Sequence, residues 1–205
     1  MAGRDHWLSI GRSNDPDEIR EHILTGFKSG KPFTPYVPTI PLPGHVERVL
    51  DFGCGVGRTF PFLRTIAQHV TGFDLPPMIE QCRRLATERA DALEDDWETV
   101  RSSRFDLIVA VLVLQHIEPA ACRAYLQDFA RMSRATYLLS RSDSDFGTNV
   151  FADVEATGVY EAGECVEVDH DPDTHQLRVL GRRSFAAACA TETTGHYEVL
   201  LRSKL

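Results

Sequence analysis

VLDFGCGVGRTF, from Val49 to Phe60, decides how this chain is read. An apolar run ends in Asp51, and glycines follow at 53, 55 and 57. An apolar run of this length reads as a strand, and the residues after the glycines read as a helix. A strand leading through a glycine loop into a helix puts bare backbone at the carboxyl edge of a sheet, where α/β folds bind ligands. Glycine there permits φ > 0 and lets a ligand lie against the main chain.

The pattern outward from that loop alternates strand and helix. Val46–Asp51 reads as a short strand, and Phe60, Leu63, Ile66 and Ala67 as a helical face. Val70–Phe73 reads as a second strand ending at Asp74, followed by a helix marked by Met78, Cys82, Leu85 and Ala86. FDLIVAVLVL, Phe105–Leu114, is the most continuous apolar run, as expected of a central parallel strand buried on both faces. Cys122, Leu126 and Phe129 mark a following helix, and Thr136–Leu139 another strand. Strands alternating with helices predict a Rossmann-like, doubly wound, mostly parallel sheet. Cys165–Val168 and Gln176–Leu180 read as facing strands, Arg182–Ala190 as a helix, and Tyr197–Leu201 as an antiparallel C-terminal strand.

The segment before residue 46 differs. Asp15-Pro16-Asp17-Glu18 has the chemistry of a helix start, with Asp as N-cap and Pro in the first turn. Ile19, Ile23 and Phe27 share a face, and Gly30 is a stop. KPFTPYVPTIPLPG then holds prolines at 32, 35, 38, 41 and 43, which favours an extended connector. The expected organisation is a helical N-terminal cap with connector over residues 1–45 and a Rossmann-like domain over 46–205.

Composition narrows the classes of function. The 205 residues are 42% hydrophobic, enough for a real core, and the net charge is -8 with no Lys/Arg-rich block. A dedicated nucleic-acid binder is disfavoured, because such proteins carry a basic face. The five cysteines form no C-x-x-C pair, so neither a disulfide framework nor a zinc site is expected. No secretory h-region and no run of ~18 apolar residues occurs, so a cytoplasmic protein is expected. DHDPDTH, 169–175, holds metal-ligand types, but Asp-Pro-Asp-Thr is turn chemistry between two strands, and no metal is expected.

Two ligands suit a glycine loop at a strand end. The dinucleotide fingerprint G-x-G-x-x-G wants a small residue where this chain has Arg58. The string D-x-G-C-G-x-G-R, Asp51–Arg58, instead resembles motif I of the class I S-adenosylmethionine-dependent methyltransferases. FDLIVAVLVLQHI, Phe105–Ile117, is similar to that family's fourth-strand motif, and Asp74 matches its acidic ribose anchor. The resemblance covers about Val46–Leu139 in order and spacing.

The resemblance implies transfer of a methyl group from S-adenosyl-L-methionine, releasing S-adenosyl-L-homocysteine. It puts Asp51, Gly53, Cys54, Gly55 and Gly57 around the methionine and ribose part, with Arg58 either on the carboxylate or solvated at the surface. Asp74 would accept from the ribose hydroxyls, with Leu75 beside it. Asp91 and Ala92, in ADA at 90–92, look like the adenine segment, with Glu94, Asp95 and Asp96 as competitors for the acidic role. Val111 and Leu112 would line the pocket. His116 is the candidate catalytic residue, and a structural role under the next helix is its alternative. Trp7, Phe33 and Tyr36 either shape the acceptor pocket or pack the cap. The acceptor is expected to be a small molecule, with protein or RNA, or a binding module without transfer, as the alternatives.

Overall fold

The computed structural model describes residues 3–15, 18–19, 37–44, 46–86, 88–170, 177–190 and 195–205. Among the described residues the strands are β1 (Val46–Phe52), β2 (Ala67–Phe73), β3 (Ala92–Glu94), β4 (Phe105–Val111), β5 (Ser133–Arg141), β6 (Tyr160–His170), β7 (Leu177–Arg183) and β8 (His196–Ser203). The helices are α1 (Arg4–Gly11), α2 (Phe60–Ile66), α3 (Pro76–Leu85), α4 (Trp97–Arg101), α5 (Pro119–Met132), α6 (Val150–Thr157) and α7 (Phe185–Cys189). One sheet orders the strands β3-β2-β1-β4-β5-β8-β6-β7.

The first five strands are parallel. β8 pairs antiparallel with β5, with Leu138 opposite Val199, and β6 and β7 extend the same sheet antiparallel. The order reverses beside β1, which puts the ends of β1 and β4 on either side of a crevice.

β4 alternates between two buried layers. Ile108 and Ala110 face α5 with Leu126 and Phe129, whereas Leu107 and Val109 face α2 and α3 with Leu63, Ile79 and Cys82. Burial on both faces is why its sequence is almost uniformly apolar. Phe52, Phe73, Trp97 and Phe129 meet edge-on or stacked, with Phe52 and Phe129 centroids 4.8 Å apart.

Local chemistry starts and stops the helices. Pro76 and Pro77 open α3, and Glu118 accepts from the N–H groups of Ala120 and Ala121 ahead of α5. Asn149 caps α6 in the same way, and Gly158, at φ 67°, ends it.

Several expected boundaries shift. β4 ends at Val111, three residues before Leu114, because Leu112 takes φ 54° and Leu114–His116 wind into a 3-10 turn. Ala67 begins β2 instead of completing a helical face. Arg182 and Arg183 belong to β7, where Arg183 pairs with Glu167 of β6, so the helix expected from Arg182 starts at Phe185. β3 and the helices α1, α4 and α6 were not anticipated. The expected helix and connector at 16–17 and 20–36, including Phe33 and Tyr36, and the turn at 171–175 lie outside the described residues. Among the described residues, no helix is long and apolar enough to cross a membrane.

Candidate active site

The carboxyl ends of β1, β2, β4 and β5 enclose a cavity of about 930 Å³, with α1 against its rim through Arg4, His6 and Trp7. Its base is the glycine loop. Gly53 and Cys54 donate their N–H groups to the Phe73 carbonyl at 2.8 and 3.1 Å, which ties the loop to the end of β2. Gly53 adopts φ 74°, and a Cβ there would lie 2.5 Å from Val113 Cγ2. Only glycine fits that position, for both conformation and space.

Two carboxylates line this end. Asp74 accepts from Gly55 N–H at 2.8 Å through Oδ2 and from Leu75 N–H at 2.6 Å through Oδ1. Burial pushes its pKa up to about 6, against the two backbone donors that lower it. Asp51 is 1% exposed and accepts from the Thr59 hydroxyl. Burial raises its pKa to about 7, the Thr59 bond opposes that, and the Asp74 charge adds to it. Two carboxyl groups poised between charged and neutral, one beside the other, suit a ligand that carries a positive charge and donor groups.

At the other end Leu112 holds φ 54° while its N–H donates to the Leu139 carbonyl at 2.7 Å. A leucine in the left-handed region costs roughly 1–3 kcal/mol, so the surrounding contacts impose it. Beyond it, His116 Nδ1 lies 2.8 Å from Asp145 Oδ2. Trp7 packs edge-on to the His116 ring at 5.1 Å. The Trp7 indole N–H is buried and has no hydrogen-bond partner among the described residues.

The cavity brings together Asp51, Gly53, Cys54, Gly55, Arg58, Asp74, Leu75, Val111, Leu112 and His116. Gly57 stands behind the loop, where its backbone leaves room for the Phe60 ring. Asp91 and Ala92 are not at the cavity. They sit at the amino end of β3, where Asp91 accepts from Val70 N–H at 2.7 Å and Arg64 at 2.8 Å. The carboxyl end of that strand leads to Asp95, which does line the cavity. A three-residue strand gives too little pattern to fix its ends, which is why the acidic run 91–96 left the choice open. Thr59, Gln115, Arg141 and Asp145 were missed. No spacing rule marks them, although Ser-Asp-Ser-Asp after β5 is turn-like and turns carry functional side chains.

Among the described residues no group of three or more His, Cys, Asp or Glu side chains is arranged to hold a metal.

Residues 49–136 match a family model described as a methyltransferase domain. A curated relative, the ribosomal protein L11 methyltransferase of Chromohalobacter salexigens, is 30% identical over a 106-residue alignment that covers 47% of this chain and 35% of that protein. Among solved structures, N-methyltransferase NodS of Bradyrhizobium japonicum WM9, in complex with S-adenosyl-L-homocysteine, superposes with a TM-score of 0.56 at 14% identity over 98% of both chains. A TehB-like SAM-dependent methyltransferase from Corynebacterium glutamicum superposes at 0.51 and 17% identity, over 80% of this chain and 83% of that one. Magnesium protoporphyrin IX methyltransferase of Synechocystis PCC 6803, with bound SAM, does so at 0.50 and 15% identity, over 78% and 71%.

Proposed function

We propose that this chain, whose residues 49–136 match a methyltransferase-domain model, is a class I S-adenosylmethionine-dependent methyltransferase that methylates a small-molecule acceptor in this cavity. The observation that carries the reading is the carboxylate of Asp74 at the end of β2, bonded to the glycine loop and sharing one cavity with Asp51.

The residues fit the cofactor. Gly53 and Gly55 leave backbone for the methionine and ribose portion to approach. Each Asp74 oxygen has one backbone donor and keeps lone-pair capacity for the ribose hydroxyls, and such charge-assisted bonds are stronger than neutral ones. Asp51 faces the ammonium group, and a positive charge there favours its ionised form. Arg58 holds the methionine carboxylate. Asp95 takes the adenine amino group, in place of Asp91. Leu75, Val111 and Leu112 form apolar walls beside Cys54.

The bound cofactor supplies an electrophilic methyl carbon on a sulfonium. The protein aligns an acceptor in line with it and keeps water out. Residues 1–45 act as the cap on the domain formed by 46–205, with Trp7 offering its indole N–H to the acceptor. Apolar walls from Trp7, Leu139, Phe146 and Leu177, with no basic face in the composition, favour a small organic acceptor over RNA. The likeness to an enzyme named for ribosomal protein L11 supports a protein acceptor as the second reading.

Titration calorimetry with S-adenosyl-L-homocysteine tests the cofactor site, with Asp74→Ala as control and NAD as comparator. Binding by the wild type, loss in the variant and no response to NAD are expected. Silence of the wild-type protein towards S-adenosyl-L-homocysteine sinks the proposal.

A further inference from the structure

The ends of β4 and β5 carry a chain of polar contacts to which the cofactor roles proposed above assign nothing. Arg141, the last residue of β5, donates from Nη2 to Asp145 Oδ1 at 2.7 Å. Asp145 Oδ2 takes His116 Nδ1 at 2.8 Å. The backbone ties the two segments together as well, since Asp145 N–H donates to the carbonyl of Gln115, the neighbour of His116, at 2.8 Å. The Asp145 and His116 side chains are only 12% and 18% exposed.

The hydrogen bonds also set the tautomer. A carboxylate paired with Arg141 can only accept, so His116 Nδ1 carries a proton. Ser140 Oγ donates to Gln115 Oε1 at 2.9 Å, which turns the Gln115 amide nitrogen towards His116 Nε2 at 3.3 Å. Nε2 is therefore the lone-pair nitrogen, held by one long contact that a better donor can displace. Apo catalytic contacts are often long in this way. The arrangement is that of a carboxylate orienting an imidazole base. His116, Gln115 and Arg141 all line the cavity that holds Asp51 and Asp74. If His116 only capped the next helix, it would need none of this order.

We infer that His116 Nε2 accepts the acceptor's proton and that Asp145 is the positioning residue behind it, so the methylated atom arrives as a hydroxyl, above all a phenol. The inference rests on the methyl-transfer reading above. The hydroxyl oxygen bonds the methyl carbon as the carbon–sulfur bond breaks, and that electron pair stays on sulfur. The hydroxyl proton passes to Nε2. One positive charge, on the sulfonium, becomes one positive charge on the imidazolium, next to Asp145. A thiol ionises closer to neutrality than a phenol, and an amine in its neutral form attacks through its lone pair and sheds a proton afterwards, so a base at this position helps a hydroxyl most.

The groups around His116 agree with a neutral base at pH 7. Burial lowers its pKa, the Asp145 carboxylate opposes that, and the charges of Arg141 and of His6 on α1 add to the lowering.

The test begins without any ligand. Long-range 1H–15N NMR of the full chain should show His116 as the Nδ1–H tautomer, with a lower pKa in Asp145→Asn and recovery in Asp145→Glu. An Nε2–H tautomer in the wild type, or a His116 indifferent to Asp145, overturns the inference. 4-Nitrophenol is then added to the protein with S-adenosyl-L-homocysteine, at a pH below the probe's own pKa. The visible phenolate band should grow with the wild type and not with His116→Gln. Calorimetry should find S-adenosyl-L-homocysteine bound equally by the wild type, His116→Gln and Asp145→Asn. With that binding intact, a phenolate band that stays flat overturns the hydroxyl acceptor while the methyl-transfer reading stands. Loss of the binding in the wild type overturns both.

Discussion

The two ends of the cavity are built by different means. Beneath Asp51 and Asp74 the main chain does the work: a loop at φ 74°, 54° and 80° for Gly53, Gly55 and Gly57 presents N–H groups and leaves space. Around His116 the side chains do it, through Arg141, Asp145, Gln115 and Ser140. A backbone site tolerates almost no substitution, because both conformation and volume are used. A side-chain site can lose one contact and still fold. The first suits a ligand common to a whole family, and the second an acceptor particular to one member.

Gly53→Ala should produce the largest effect. A Cβ at φ 74°, against Val113, combines left-handed strain with overpacking. The expected loss is about 3 kcal/mol in urea unfolding, together with S-adenosyl-L-homocysteine binding. A variant as stable as the wild type breaks the claim that the backbone sets this end.

The pH dependence of stability separates the two ends next. Asp51 and Asp74 have folded pKa values of about 7 and about 6, raised from 3.8 by burial. Between about pH 4 and 7 the folded protein holds protons that the unfolded chain has released, so their contribution falls as pH rises. His116 has the opposite sign. Its folded pKa lies below the ordinary 6.5, so the unfolded chain holds more protons below that pH and stability rises as pH climbs towards it. Relative to the wild type, urea midpoints taken across this window should fall less with rising pH in Asp51→Asn, where Asp74 still contributes, and fall more in His116→Gln. Parallel curves for all three proteins contradict the assignment.

Arg141→Ala should cost less than about 1 kcal/mol, since Arg141 is a partly exposed partner and Asp145 keeps His116. S-adenosyl-L-homocysteine affinity should not move, whereas the His116 pKa should. The smallest effect is expected from Asp91→Asn. Its partner Arg64 and its place at the amino end of β3 are remote from the cavity, so calorimetry should give less than about a twofold change in affinity. A larger change returns Asp91 to the site. Asp95→Asn is the comparison in which affinity should fall.

The legibility of the sequence follows the same division. Asp51–Arg58 is readable because a strand, a tight loop and a helix are contiguous, and the loop's φ values demand glycine. FDLIVAV is readable because burial on both faces leaves no polar position. Asp74 is readable because it ends the very next strand. Each is a short-range requirement, so its residue types must appear in order along the chain.

Tertiary structure alone decided the rest. Insertion of β8 between β5 and β6 is a pairing of distant segments that no local periodicity encodes. Trp7 meets His116 only because α1 packs beside α3, and His116 meets Asp145 only because β4 and β5 end side by side. That Asp95 lines the cavity and Asp91 does not was set by which end of a three-residue strand faces the crevice. Backbone conformation is a property of neighbouring residues and is written locally. The meeting of side chains from separate strands depends on register, and register exists only once the sheet has formed.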